Sequence, residues 1–231
     1  MRFSDRSEAG RQLAQKLSDY ANHPDVVILA LPRGGVPVGS EIATALNAPL
    51  DIIVVRKLGV PDREELAMGA IASGDVRVLN QEIIDWLQIP PAVMDRVTEL
   101  ETTELRRREQ VYRGTTPPLE IAGKIVILVD DGIATGSTMR AAVEVVRSRH
   151  PQRVLVAVPT APASTIKELR SAVDDFVSVI SSDAFVGVGQ WYVDFRQVSD
   201  EVTRELYERA RGGGGQRSSE KPYEKWHKSN Q

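Results

Sequence analysis

The fold is decided by one stretch of the chain, which runs Ile125-Val126-Ile127-Leu128-Val129-Asp130-Asp131-Gly132-Ile133-Ala134-Thr135-Gly136-Ser137-Thr138. It begins with five consecutive aliphatic residues, the pattern of a strand that is buried on both faces of a parallel sheet. Two adjacent carboxylates follow, then a loop of small and hydroxylated residues, and then a helix that we expect to begin at about Met139. Because open α/β sheets bind ligands at the carboxyl ends of their strands, the stretch predicts a ligand site there.

The loop of residues 135–138 is suited to bind a phosphate group. Its side chains are too small to screen the backbone, so amide N–H groups can point at a phosphate while the following helix contributes its positive end. The hydroxyls of Thr135, Ser137 and Thr138 are further donors. Ionised Asp130 and Asp131 only accept hydrogen bonds, which suits two adjacent ribose hydroxyls or the water shell of Mg²⁺. The pattern therefore predicts a sugar-phosphate site.

Two other phosphate-binding motifs do not match this loop. A nucleoside-triphosphate P-loop requires a lysine where Ser137 stands. A dinucleotide-binding loop requires G-x-G-x-x-G, and Gly132 and Gly136 have the wrong spacing for it. The remaining alternative is an ordinary turn from a strand to a helix, capped by an acidic residue.

The run Val129-Asp130-Asp131-Gly132-Ile133-Ala134-Thr135-Gly136-Ser137-Thr138 closely resembles the signature of the type I phosphoribosyltransferases, which bind 5-phosphoribosyl 1-pyrophosphate with magnesium. Upstream, Leu31-Pro32-Arg33-Gly34-Gly35-Val36-Pro37-Val38 is similar to that family's pyrophosphate loop. Roughly residues 1–211 are similar to uncharacterised bacterial proteins of this kind. The resemblance implies a parallel twisted sheet flanked by helices, with a small variable hood over an acceptor base.

The pyrophosphate loop carries Arg33, Gly34 and Gly35. Adjacent glycines after a buried strand can expose backbone N–H groups to a pyrophosphate, while the arginine supplies positive charge. Alone, the glycines are as consistent with a simple turn, but the signature downstream favours the binding role. The resemblance implies a non-proline cis peptide bond at Arg33-Gly34. It also implies that Asp130 and Asp131 hold the ribose hydroxyls, and magnesium indirectly, while the loop stabilises the departing pyrophosphate.

A cationic pair, Arg56 and Lys57, follows the second predicted strand at residues 52–55. Such a pair at the same sheet edge can neutralise a leaving pyrophosphate, and the charged segment 59–65 can cover the site and exclude water. The resemblance implies a flexible catalytic loop near this point, which makes Lys57 and Arg63 candidates. A solvated surface pair is the alternative.

The predicted hood comprises residues 181–195 and neighbouring segments, with aromatic Phe185, Trp191 and Tyr192. In the family an aromatic ring stacks on the acceptor base, and Trp191 or Phe185 is placed to do so, a contact worth about 1–3 kcal/mol. Both rings can equally belong to the core. Hypoxanthine-guanine enzymes carry an aspartate where this chain has Ala134, and the hood lacks the uracil-type pattern, so the sequence does not identify the acceptor.

Composition predicts one globular domain at residues 1–211 and a disordered, Gly-rich polar tail at residues 212–231. The net charge of −3 gives no general attraction to nucleic acid or membrane, and the absence of cysteine excludes disulfides. No signal peptide or apolar span is present, so we expect a cytoplasmic protein. Family members are commonly dimers, which makes a homodimer an expectation from the resemblance.

Strands and helices are expected to alternate, which predicts a parallel sheet covered by helices. The expected helices are residues 6–21, 36–46, 82–87, 91–112, 139–149 and 163–172. The expected strands are residues 26–31, 52–55, 125–129, 154–158 and 176–180, with a charged loop at 58–66 and a hairpin of 67–72 with 76–79.

The resemblance implies a magnesium-dependent transfer of 5-phosphoribosyl from phosphoribosyl pyrophosphate to a nitrogenous base, with release of pyrophosphate. One alternative is a non-catalytic sensor of the same ligand that controls a nucleic acid or protein partner. Its support is the run Arg106-Arg107-Arg108, which Glu104 and Glu109 interrupt on the same helix. A second alternative is a phosphoribosyl-binding enzyme that uses water or phosphate as the acceptor.

Overall fold

The computed structural model describes residues 2–212, in which helices and strands alternate. The helices are α1 (Arg6–Lys16), α2 (Gly35–Leu46), α3 (Gln81–Leu87), α4 (Pro91–Arg113), α5 (Ser137–Ser148), α6 (Ala163–Leu169) and α7 (Asp200–Gly212). The strands are β1 (Val26–Ala30), β2 (Leu50–Ile52), β3 (Val55–Val60), β4 (Arg63–Ala72), β5 (Val76–Leu79), β6 (Ile125–Val129), β7 (Arg153–Ala161) and β8 (Asp175–Ser181). Single 3-10 turns lie at Ser18–Tyr20 and Val188–Trp191.

Five strands form one parallel sheet in the order β2-β1-β6-β7-β8. The central strand β6 is buried along its whole length between β1 and β7. Because successive side chains of a strand point to opposite faces, Ile127 packs on the face covered by α1, α2 and α7, whereas Val126 and Leu128 pack on the face covered by α5 and α6. The predicted parallel sheet flanked by helices is confirmed.

A second, antiparallel sheet contains β3, β4 and β5 and packs against α4 and α5. The predicted strand at 52–55 is wrong, because β2 ends at Ile52 and β3 begins at Val55. The predicted loop at 58–66 is also wrong, because this charged segment contains the end of β3 and the start of β4, which pair as a hairpin. Pairing satisfies the backbone groups of this segment whatever its side chains are, and Leu58 is buried within it. The predicted hairpin of β4 with β5 is confirmed.

The two ends of the described chain differ from the expected elements. α1 ends at Lys16, and a 3-10 turn at Ser18–Tyr20 stands where the expected helix continued. Asp5 caps the start of α1 by accepting a hydrogen bond from the Glu8 amide at 2.8 Å. α7 was not expected at all, although its buried Val202, Leu206 and Tyr207 lie on one helical face. The predicted tail lies outside the described residues beyond Gly212, so the domain boundary stays a prediction.

Among residues 2–212, no helix combines the length and the apolar character that crossing a membrane requires.

Candidate functional site

Two loops meet at the carboxyl edge of the parallel sheet, because the strands that precede them, β1 and β6, are neighbours. A Cβ atom on Gly34 would overlap the carboxylate of Asp131, and one on Gly35 would lie 2.6 Å from the backbone oxygen of Val129. Any other residue at either position would push the loops apart. The structure thus brings the predicted pyrophosphate loop and the predicted sugar-phosphate loop into direct contact.

The non-proline cis peptide bond lies between Pro32 and Arg33, one bond earlier than the resemblance implied. Gly34 already has helical backbone angles, and the amide of Gly35 donates to the carbonyl of Leu31 at 3.0 Å as α2 begins. The change in chain direction therefore comes before Gly34, and the expected bond at Arg33-Gly34 is wrong.

Asp130 and Asp131 follow β6 directly, as the sequence predicts. Each of them has its own hydrogen-bond partners. The Nε atom of Arg6 donates to Oδ2 of Asp131 at 2.7 Å, and the hydroxyl of Tyr192 donates to the Asp131 carbonyl at 2.6 Å. The Asp131 amide donates to Oδ1 of Asp130 at 2.8 Å. Burial, and then the negative charge of Asp131, raise the pKa of Asp130 well above its usual range. Burial also raises the pKa of Asp131, although Arg6 acts in the opposite direction.

The loop that follows is held by side chains of α5 and α6. The Ala134 carbonyl accepts a hydrogen bond from the Thr165 hydroxyl at 3.0 Å, and the Thr135 carbonyl accepts one from Arg140 at 2.9 Å. Gly136 caps α5 with a φ of 76°, and a Cβ there would lie 2.9 Å from the Thr165 methyl carbon. A side chain is therefore excluded both by conformation and by space.

The hydroxylated residues of this loop lie at the start of α5, which begins at Ser137, two residues earlier than expected. The hydroxyl oxygens of Thr135 and Ser137 are 3.4 Å apart. Ala134, Thr135 and Thr138 are exposed, so their edge of the loop is open to a ligand. The predicted hydroxyls and the helix start are therefore brought together.

The predicted hood lies over the same edge. A Cβ on Gly132 would lie 2.5 Å from Cγ1 of Val188, so the signature loop and the hood are in contact. The ring of Trp191 lies 6.2 Å from that of Phe185, at 38°, and its buried Nε1 has no hydrogen-bond partner within residues 2–212. The stacking role of Trp191 stays a prediction.

The predicted cations have their own partners. Arg56 pairs with Glu101 at 2.6 Å. Lys57 lies on β3 opposite Ala70, in the second sheet. Its catalytic role stays a prediction.

Arg33 lies 3.4 Å from Oδ1 of Asp200, at the start of α7. The same oxygen accepts a hydrogen bond from the hydroxyl of Tyr112 at 3.0 Å. Burial, and then this bond to Asp200, raise the pKa of Tyr112. The arginine expected to meet pyrophosphate is therefore held in this structure by a helix that sequence reasoning missed.

Sequence reasoning also missed Arg6 and Thr160. Arg6 falls at helical spacing with Ala9 and Leu13, on the buried face of α1, and a charge on an apolar stripe was the available signal. Thr160, at the carboxyl end of β7, is fully buried, and its hydroxyl has no hydrogen-bond partner within the described chain. It had no signal in the sequence, because it lies within an otherwise ordinary strand.

No group of three or more His, Cys, Asp or Glu side chains within residues 2–212 is placed to hold a metal ion. Asp130 and Asp131 place two adjacent carboxylates at the end of β6, and that of Asp131 is paired with Arg6.

The sequence and the fold of this chain are similar to those of known proteins. The model of the phosphoribosyl transferase domain matches residues 5–196. A Mycobacterium tuberculosis H37Rv protein named "Putative phosphoribosyl transferase Rv0571c" is 43% identical over 208 residues, which is 90% of this chain and 47% of that protein. The chain thus spans about half the length of that relative. The crystal structure of TT1426 from Thermus thermophilus superposes with a TM-score of 0.82 and 38% identity, covering 90% of this chain and 98% of that one.

A shorter match has a regulatory name. The protein named "Pyrimidine operon regulatory protein" of Lactococcus lactis subsp. lactis is 45% identical over 62 residues, covering 26% of this chain and 36% of that protein.

Proposed function

Because this chain belongs to the phosphoribosyl transferase domain family, we propose that it transfers 5-phosphoribosyl from phosphoribosyl pyrophosphate to a nitrogenous base, with Mg²⁺ as the cofactor. The observation that carries the proposal is the contact between the two loops, where Gly34 lies against the carboxylate of Asp131. This contact joins a candidate site for pyrophosphate to a candidate site for ribose 5-phosphate at one sheet edge.

In the proposed reaction the bond from ribose C1 to the pyrophosphate oxygen breaks, and its electron pair leaves with pyrophosphate. A bond from C1 to the acceptor nitrogen forms, and the proton that this nitrogen loses passes to solvent. Positive charge builds on the sugar ring in the transition state. Asp130 and Asp131 accept hydrogen bonds from the ribose hydroxyls, and residues 135–138 bind the 5-phosphate. The Arg33–Gly35 segment binds the departing pyrophosphate, so orientation and fixed charges supply most of the acceleration.

The acid pair fits a Mg²⁺ ion that arrives with the substrate. Mg²⁺ prefers six oxygen ligands and commonly keeps several waters, one or two carboxylates and substrate phosphates. Asp130 and Asp131 would hold such an ion through its water shell or through the ribose hydroxyls. When bound, Mg²⁺ neutralises the charge that develops on the leaving pyrophosphate.

A second candidate function is that of a non-catalytic sensor of phosphoribosyl pyrophosphate. The regulatory name of the Lactococcus lactis relative favours it, over the short segment that the two proteins share. A sensor uses the same two loops to bind the ligand, but it needs no productive geometry for an acceptor base.

Two measurements on the purified chain test both functions. Titration calorimetry measures the binding of phosphoribosyl pyrophosphate with Mg²⁺, and a coupled assay measures the release of pyrophosphate with a panel of bases. Release that depends on one base supports the transferase. Binding without release for any base supports the sensor, and the absence of binding contradicts both.

The matched control for this experiment compares carboxylates at opposite ends of neighbouring strands. Asp131→Asn is expected to weaken binding strongly but measurably, because it removes a charge at the carboxyl edge of the sheet. Asp25→Asn alters a carboxylate at the amino end of β1, which pairs with Lys124 at 2.6 Å. It is expected to leave binding unchanged.

A further inference from the structure

The amino-terminal segment is part of the hood. The Phe3 amide donates to the Trp191 carbonyl at 2.8 Å, and the Val193 amide donates to the Phe3 carbonyl at 2.8 Å. The Asp194 amide then donates to the carbonyl of Ser4 at 2.9 Å. The two segments therefore run side by side through a parallel bridge between Phe3 and Tyr192, and the start of α1 lies beside the signature loop.

Arg6 joins this unit to the acid pair. Its Nε atom donates to Asp131 at 2.7 Å, and its Nη1 atom donates to the carbonyl of Arg196 at 2.9 Å. Its Cζ atom lies 4.1 Å from the centre of the Phe195 ring and 5.9 Å from that of Tyr192. A single guanidinium thus contacts the predicted ribose-binding acid and three separate residues of the hood and its continuation.

Arg6 depends on these contacts because it is buried. The residue is only 4% exposed, and a buried charge is stable only when it is paired and hydrogen-bonded. The planar guanidinium presents several donors in a fixed fork, so it can bind the carboxylate and the carbonyl at the same time. Tyr192 holds the backbone of Asp131 from the hood side, and together the two contacts fix the direction of the carboxylate.

We propose that Arg6 is a positioning residue that orients Asp131 for the ribose hydroxyls. It does not touch the reacting atoms, and it acts through Asp131. The inference rests on the proposed function, because it takes the ligand to be a phosphoribosyl compound. It requires that the ribose half of the ligand depends on Arg6, while the pyrophosphate half, bound by the Arg33–Gly35 segment, does not.

Titration calorimetry with two probes separates the halves of the site. In the presence of Mg²⁺, Arg6→Gln is expected to weaken the binding of phosphoribosyl pyrophosphate by about tenfold or more, the scale of one hydrogen bond to a charged group. The binding of inorganic pyrophosphate is expected to stay within about twofold, since that ligand has no ribose. Arg6→Lys keeps the charge but cannot reproduce the fork, so it recovers part of the lost affinity.

A double-mutant cycle shows whether Arg6 acts through Asp131. Adding Arg6→Gln to Asp131→Asn is expected to cause little further loss, because the group that Arg6 orients is already gone. Arg11→Gln is the matched control, since Arg11 lies on the same helix and pairs with Glu41 at 3.5 Å, away from the acid pair. It is expected to bind both ligands as the unaltered chain does.

The outcomes separate this inference from the proposed function. If the unaltered chain binds phosphoribosyl pyrophosphate and Arg6→Gln binds it equally well, or loses both ligands equally, the inference is overturned and the proposed function stands. If the unaltered chain binds neither ligand, the proposed function fails and the inference fails with it. Should Arg6→Gln not fold, Arg6→Lys carries the same comparison, and a loss of neither ligand or of both equally overturns the inference.

Discussion

Two arginine–aspartate pairs, each with a buried arginine, connect a helix to the parallel sheet or to the loop that follows it, and their surroundings differ. The first joins Asp51 of β2 to Arg113, the last residue of α4, and both are almost completely buried. Asp51 also accepts hydrogen bonds from the amides of Ile52 at 2.8 Å and Leu119 at 2.7 Å. This pair fastens α4 and the segment after it to the edge of the sheet, and its carboxylate is satisfied by the protein itself.

The second pair, Arg6 with Asp131, lies at the end of the central strand. Its carboxylate stands next to that of Asp130, whose pKa is raised by burial and by the charge of Asp131. The loop that follows is exposed at Ala134 and Thr135. Two like charges held together beside an open loop are costly for the fold, which is typical of a functional site. The contrast agrees with a structural role for the first pair and with the ligand-binding role proposed for the second.

The largest effect on stability is expected at the structural pair. Arg113→Met leaves the carboxylate of Asp51 buried without its cationic partner, which is expected to lower the free energy of unfolding by about 3 kcal/mol or more. The folded fraction should bind phosphoribosyl pyrophosphate as the unaltered chain does. Urea unfolding measures the first effect and titration calorimetry the second.

The control for that variant is an exposed pair. Arg107→Met removes a partner of Glu104, and the pair lies on the surface of α4 at 2.8 Å. Such pairs contribute about 1 kcal/mol or less. If Arg113→Met costs no more than Arg107→Met, the assignment of a structural role to the buried pair is wrong.

Substitution of Asp130 is expected to have a smaller effect, which raises rather than lowers the free energy of unfolding. Its pKa is higher in the folded than in the unfolded chain, so the stability that its protonated form confers is lost as the pH rises from the ordinary aspartate pKa through the raised value. Asp130→Asn resembles the protonated form. It is expected to raise the free energy of unfolding at pH 7, because it removes the charge that burial and Asp131 disfavour, while it abolishes binding of the ribose ligand.

The measurement is the melting temperature of both chains across the acid range. The advantage of Asp130→Asn should grow as the pH rises and vanish at low pH, where the natural carboxyl is protonated in both states. Asp131→Asn is the counterpart, since it deprives buried Arg6 of its partner and should destabilise the fold. A less stable Asp130→Asn chain would show that the acid pair imposes no cost on the fold.

The parts of this site that the sequence predicts are those whose signals are local. The aliphatic run of β6, the acids after it and the glycines Gly34 and Gly35 each carry a pattern within a few residues. Parallel neighbours in a sheet then bring the ends of β1 and β6 together, so the meeting of the two loops also follows.

The rest depends on contacts between distant residues. Arg6 and Asp131 are 125 positions apart, and no local pattern specifies their pairing. The charged β3–β4 hairpin resembles a loop until its backbone pairing is known. α7 has apolar residues at helical spacing, but its position over Arg33 depends on how it packs. These contacts are tertiary, and they decide which cations lie beside the candidate site.

The smallest effect on stability is expected at a third pair, Arg33 with Asp200. Their side chains are 32% and 39% exposed and 3.4 Å apart, so the pair is partly solvated and Asp200→Asn should change the free energy of unfolding by about 0.5 kcal/mol. Because the substitution releases the guanidinium of Arg33, binding of inorganic pyrophosphate with Mg²⁺ should tighten by roughly threefold, as expected for a gain well below 1 kcal/mol. Titration calorimetry measures this change in pyrophosphate affinity.

The control for this pair is Tyr112→Phe. This variant removes the hydrogen bond from the Tyr112 hydroxyl to Asp200 but keeps the negative charge of Asp200 beside Arg33. Pyrophosphate affinity should then stay unchanged. Weaker binding by Asp200→Asn would instead mean that Asp200 holds Arg33 in its binding position. In that event Arg33–Asp200 would resemble the proposed Arg6–Asp131 arrangement, in which one charged residue positions another for the ligand, and each loop at the sheet edge would have its own positioning partner.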